Sequence, residues 1–92
     1  MKIRFADTRE VLIEELSENR NTIGTWTISF TIQGLYSSIE LDDLFSQKNI
    51  SMLTIIGEDN TKVVTGYTRV TKMSIQYSDD MSDATIRVIL QK

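Results

Sequence analysis

Between residues 26 and 32 every even position is large and apolar, Trp26, Ile28, Phe30 and Ile32, and every odd position, Thr27, Ser29 and Thr31, is a small hydroxyl residue. Only an extended strand sends successive side chains to opposite faces, so this run specifies a strand with one buried side. The β-branched Thr on the other side pack well on a pleated surface and favour the same conformation. Trp26 shares the face of Ile28 and Phe30 and is expected in the core, where truncation to Ala removes about 3–5 kcal/mol.

The same period recurs at both ends of the chain. Met1, Ile3 and Phe5 alternate with Lys2 and Arg4; Met73, Ile75 and Tyr77 alternate with Ser74 and Gln76. Ile86, Val88 and Leu90 point one way and Arg87 and Gln91 the other, with Ile89 breaking the pattern and implying contact on both faces of the last strand. Between the last two strands, Ser78-Asp79-Asp80-Met81-Ser82-Asp83 has the chemistry of a hairpin loop, because Asp and Ser side chains bond nearby backbone amides. Residues 10–16 admit two readings: Leu12 and Leu16 fit helical spacing, Val11 and Ile13 fit a strand. The strand is favoured, joined to the Trp26 strand through a polar turn at residues 17–21. Leu41, Leu44 and Phe45 sit at i, i+3 and i+4, the stripe of one short helix within residues 38–46. Met52-Leu53-Thr54-Ile55-Ile56 reads as a buried strand, turned at residues 57–61 into a strand over residues 62–70. A parity slip between Val70 and Met73 predicts a β-bulge near Thr71.

A chain of 92 residues has material for one core, and 40% apolar content with a net charge of -3 lies in the globular range. Residues 1–92 are therefore read as a single domain. The chain has neither Cys nor His. Disulfides and thiolate metal sites are excluded, and so are the triads that use His or Cys to move a proton near neutral pH. The charged start of the chain lacks the pattern of a secretory signal, so cytoplasmic synthesis is expected. No apolar run exceeds three residues, far below the ~20 needed to span a bilayer, so no membrane insertion is expected. A pI of about 4.8 disfavours nucleic acid, whose binding draws on clustered Lys and Arg.

The carboxylate pairs Asp42 with Asp43, Glu58 with Asp59 and Asp79 with Asp80 all fall in expected turns or a helix start, where acids satisfy backbone amides and need no altered acidity. The loop at residues 79–83 lacks the spacing, central Gly and closing Glu of an EF-hand. Four isolated Gly form no phosphate-binding fingerprint. No catalytic residue, cofactor or metal is expected. What remains is contact chemistry. Arg69, Lys72 and Arg87 come together on one face if the last two long strands pair, and Tyr36, in the irregular stretch after Gly34, is the aromatic expected to stay exposed as an anchor. The basic trio also has an ordinary reading, as outward strand charges that deter aggregation.

The order of elements in residues 35–92 carries a resemblance: the Leu41-Asp42-Asp43-Leu44-Phe45 helix, a strand, the acidic turn Gly57-Glu58-Asp59-Asn60, then Val64-Thr65-Gly66-Tyr67-Thr68-Arg69-Val70 and a terminal hairpin. It resembles the small β-rich proteins encoded among the structural genes of bacteriophages and prophages. The resemblance implies a virion, tail or baseplate accessory component that acts by surface contact and self-association. The alternative is a small acidic inhibitor or decoy that binds a host protein. The charge distribution separates these weakly, since residues 1–46 carry a net -4 and residues 47–92 a net +1. The expected fold is a mainly antiparallel barrel or sandwich of about six or seven strands with one short helix.

Overall fold

The computed structural model describes all 92 residues, Met1–Lys92. The chain runs β1 (Lys2–Arg4), β2 (Glu10–Arg20), β3 (Trp26–Gln33), α1 (Ser38–Leu44), α2 (Gln47–Ile50), β4 (Met52–Ile56), β5 (Thr61–Thr65), β6 (Arg69–Tyr77) and β7 (Ala84–Gln91). The strands form one antiparallel sheet in the order β5-β4-β1-β2-β3-β7-β6. Its two edge strands, β5 and β6, are not bonded to each other, yet only residues 66–68 separate them in the chain. Three intervening residues reach at most ~14 Å, so the sheet must curl until its edges meet at that corner. The result is an open barrel.

Two devices turn the sheet. In β2, Glu14 lies opposite Thr31 and Ser17 opposite Ser29, so the strand holds one residue more than its partner. That extra residue bends β2 at Glu15, which adopts φ +54°. The first part of β2 pairs with β1 and the remainder with β3. The bulge also shifts parity, so that Val11 and Ile13 before it and Leu16 and Glu18 after it face the same interior. This is why residues 10–16 carry both a strand pattern and a helical one. The second device is Gly66, at φ +90°, a conformation that suits glycine; it interrupts what reads as one strand over residues 62–70. Its amide donates to the Ser51 carbonyl and that of Thr68 to the Gln91 carbonyl, so the link spans from the base of β4 to the end of β7.

The core is built from cross-strand apolar pairs. Ile28 lies opposite Leu90, Phe30 opposite Val88 and Ile32 opposite Ile86, all buried. Ile3, Leu53, Ile55 and Val64 close over them from the other half of the sheet. The segment between β3 and β4 plugs the barrel with Leu41, Leu44, Phe45 and Ile50. The Phe45 ring meets Phe5 edge-on at 5.4 Å and stacks on Phe30 at 6.2 Å. Helix α1 starts at a capping box, in which the Ser37 hydroxyl accepts from the Glu40 amide and the Glu40 carboxylate accepts from the Ser37 amide. As expected, Lys72 follows Val70 with a bulge at Thr71 between them, both facing adjacent positions of β7.

Three expectations change. A second helix, α2, adds one turn to the single helix expected. Residues 17–20 continue β2 instead of turning, since their outer face and free edge are solvated and tolerate polar residues. The turn lies at residues 21–25, where the Asn21 side chain accepts from the amides of Ile23 and Thr25. Trp26 has the parity of the core but sits at the first position of β3, beyond the reach of the covering layer, and is 40% exposed. The Arg20 guanidinium lies 5.7 Å from its ring centroid.

These positions separate two aromatic truncations. Phe30→Ala, which empties a fully packed site, is expected to cost about 3–5 kcal/mol in urea unfolding. Trp26→Ala is expected to cost about 1–2 kcal/mol, from partial burial and the guanidinium contact. Equal losses for the two variants, or native Trp fluorescence shielded from iodide, contradict this placement.

Candidate functional site

The terminal hairpin delivers the basic trio. Arg69 lies opposite Gln91, Lys72 opposite Ile89 and Arg87 opposite Ser74, which places all three on the outer face of β6 and β7. All three are exposed. None belongs to an ion pair: the acids that pair with cations are Glu10 with Lys2 and Arg4, Asp7 and Asp43 with Arg9, and Glu18 with Lys62. The outer face of this hairpin is therefore positive on a chain whose net charge is -3. Tyr36 is not part of it. Its ring packs over Gly34, 3.2 Å from where a Cβ would stand, and is half-buried against the start of β2 and helix α1. It lines a shallow groove of about 240 Å³ with Val11, Leu44 and Glu40 and is not a freely exposed anchor.

Strand β6 carries a feature that periodicity does not announce. Ile75 and Tyr77 have the inward parity of Met73, lying opposite Ile86 and Ala84, yet they are 41% and 49% exposed. Strand β7 is the one strand against which β6 packs extensively, and the inner face at this end of β6 stays open to solvent. The far edge of β6 has no strand partner either. An apolar pair and a run of unpaired backbone thus occur on the same five residues.

A second cluster joins the β1–β2 loop to the helices. Asn49 is buried; its Oδ1 accepts from the Asp7 amide at 2.9 Å and its Nδ2 donates to the Leu44 carbonyl at 2.8 Å. Arg9 bridges Asp7 and Asp43 at 2.6 and 2.9 Å. The Arg9 hydrogen bonds hold the Asp7 carboxyl below the usual carboxylate range, and the Asp7 contact in turn raises Arg9. Together with Lys48 these residues line an open groove of about 410 Å³. Among its polar side chains the Lys48 ammonium and the Ser46 hydroxyl have no partner, and the rest are tied into the structure. Sequence reasoning missed Asn49, because its partners lie 42 and 5 residues away and no local pattern marks them.

The pairs Glu58 with Asp59 and Asp79 with Asp80 sit in open turns, as expected, whereas Asp42 and Asp43 lie in the last turn of α1 and not at a helix start. Asp80 Oδ1 accepts from the hydroxyls of Ser82 and Ser78 and from the Ser82 amide, and these bonds lower its pKa to about 2. No group of three or more Asp or Glu lies close enough to hold a metal ion. At the other end of the barrel Tyr67 is buried beneath Lys92, whose ammonium lies 5.4 Å from the ring centroid. Burial pushes the Tyr67 phenol up, helped by the nearby Glu18 charge. Neither arrangement offers a proton acceptor poised near neutral pH. Compared with known family models, curated proteins and solved structures, the chain finds no match.

Two outcomes check this geometry. Asn49→Ala strands the Leu44 carbonyl and the Asp7 amide, and is expected to lower stability by about 1–3 kcal/mol in chemical denaturation. For Asp80 the folded pKa lies below the unfolded value of 3.8, so its contribution to hairpin order is present above that pH and is lost as pH falls through about 2. The Ser78 and Ser82 amide resonances should shift together over that window, and Asp80→Asn should abolish the common transition.

Proposed function

We propose that this chain is a non-enzymatic association module that works by protein contact at its β6 edge, as an accessory component in a virion tail or baseplate. The observation that carries this reading is the coincidence on β6 of an unpaired strand edge with the uncovered side chains of Ile75 and Tyr77. Unpaired strands with alternating apolar side chains are ready templates for strand addition: the backbone supplies affinity and the side chains supply specificity. The unneutralised Arg69, Lys72 and Arg87 on the adjoining outer face add a positive rim, which favours a partner with acidic character there. The assembly role itself follows from the resemblance of residues 35–92 to phage structural proteins, and the alternative host-directed inhibitor uses the same surface toward a different partner.

Immobilised protein, exposed to lysate from phage-infected bacteria, is expected to retain virion structural proteins. Ile75→Lys, at an exposed position, should abolish that retention while leaving the thermal unfolding midpoint within a few degrees of the parent. Retention of a single host protein and no virion component replaces assembly with inhibition. Capture indifferent to Ile75→Lys removes β6 as the contact.

A further inference from the structure

We infer that the occupant of the β6 edge is a second copy of this chain, laid antiparallel about a two-fold axis at Ile75; this rests on the reading of β6 as a contact edge. Three observations carry it, beginning with the phase of the ladder. The Ser78 amide donates to the Asp83 carbonyl at 2.9 Å, and on the opposite side of β7 the Gly34 amide donates to the Ala84 carbonyl at 2.9 Å. In an antiparallel ladder the bonding direction alternates from residue to residue. Ser74, Gln76 and Ser78 therefore aim their backbone groups at β7, while Met73, Ile75 and Tyr77 aim theirs out of the sheet. These are the same residues whose side chains lie on the incompletely covered inner face.

Register comes next. Pairing about Ile75 sets Ile75 against its own copy and Met73 against Tyr77, all in the bonding phase, for about six backbone hydrogen bonds. Moving the axis two residues back to Met73 draws the Thr71 bulge into the ladder; moving it forward to Tyr77 runs into the turn at residues 78–83. Among axes on an outward-facing residue, only Ile75 pairs the whole of residues 73–77 with its own copy within regular strand. It also brings the Met73 thioether against the Tyr77 ring, a favourable contact.

Charge then selects a second copy over a generic strand. Along β6 the basic residues Arg69 and Lys72 come first, and the acidic turn with Asp79, Asp80 and Asp83 follows. Antiparallel pairing about Ile75 sets Lys72 opposite Ser78 of the other copy, next to Asp79, twice by symmetry. A parallel arrangement would align like with like. An edge that is positive at one end and negative at the other is complementary to itself when reversed, as a two-fold interface requires.

The chain's lack of Cys makes the register directly readable. Sedimentation equilibrium over a wide concentration range should show a reversible dimer, since a short edge contact falls in the small, transient class of interfaces. Ile75→Cys should form an intermolecular disulfide on mild oxidation, because facing residues in a bonded pair have Cα atoms about 5.5 Å apart. Val63→Cys on the β5 edge should not. Ile75→Pro removes an outward amide that the fold does not use and should abolish the dimer while keeping the circular dichroism of the parent. Should that variant fail to fold, Lys72→Glu provides the test. It should weaken the dimer at least about tenfold, and the added change Asp79→Lys should restore it. A chain that is monomeric at every concentration overturns the self-pairing. If that monomer still captures a foreign partner in an Ile75-dependent way, the β6 edge reading stands without it. A dimer that cross-links equally through Val63→Cys, or that ignores both Ile75→Pro and Lys72→Glu, overturns the inference.

Discussion

The three apolar pairs that β3 and β7 make across their shared ladder, Ile28 with Leu90, Phe30 with Val88 and Ile32 with Ile86, fix the position of everything else in this fold. Each such side chain gains about 1.5–3 kcal/mol by leaving water, but only if a second apolar layer covers it. A flat sheet cannot cover its own face. The bulge at Glu15 and the glycine corner at Gly66 solve this by folding the β1, β4 and β5 side of the sheet over the β3, β7 and β6 side. The helical segment then stops the open end with Phe45, whose ring touches both Phe30 and Phe5. Asn49 holds that stopper in register through the Asp7 amide and the Leu44 carbonyl. In this scheme the one large buried polar side chain serves the placement of the apolar ones.

What the sequence made legible follows from what alternation can report. Period two names the strands around Phe30, Ile75 and Val88, and the slip after Val70 names the bulge at Thr71, because parity is a local property. Once the terminal hairpin is recognised, its register brings Arg69, Lys72 and Arg87 to one face with no further information. Parity says nothing about depth, which is why Trp26 has the face of the core and lies outside it. It also misleads wherever the backbone leaves the extended form. The αL residue Glu15 splices two alternating runs into a pattern that mimics helical spacing, and Gly66 breaks what reads as one strand. Asn49 and the half-burial of Tyr36 depend on residues far away in the chain, so no window of sequence contains them.

The two edges of the sheet are treated differently by the same chain. On β5, Lys62 has the inward parity of Val64 and reaches across the gap to the Glu18 carboxylate at 2.9 Å. A charge pointed inward and tied down at an edge obstructs an incoming strand, because docking there would have to bury or break the ion pair. The exposed end of β6, Met73-Ser74-Ile75-Gln76-Tyr77, contains no charge and no Pro. Its one protective device, the Thr71 bulge, lies before this stretch.

That contrast bears on why so much surface stays open. The folded chain exposes 6,020 Å², against roughly 5,400 Å² for a compact protein of this mass. An excess of about 600 Å² leaves in water apolar surface that a further covering layer would bury. A small domain has little stability to spare, since its total margin is only of the order of 5–15 kcal/mol. Leaving Ile75 and Tyr77 uncovered on an unguarded edge, while the opposite edge is closed by an ion pair, is the arrangement expected if the missing layer is supplied from outside the chain. On the proposed reading, the surface that folding leaves unsatisfied on β6 and the surface that association uses are the same.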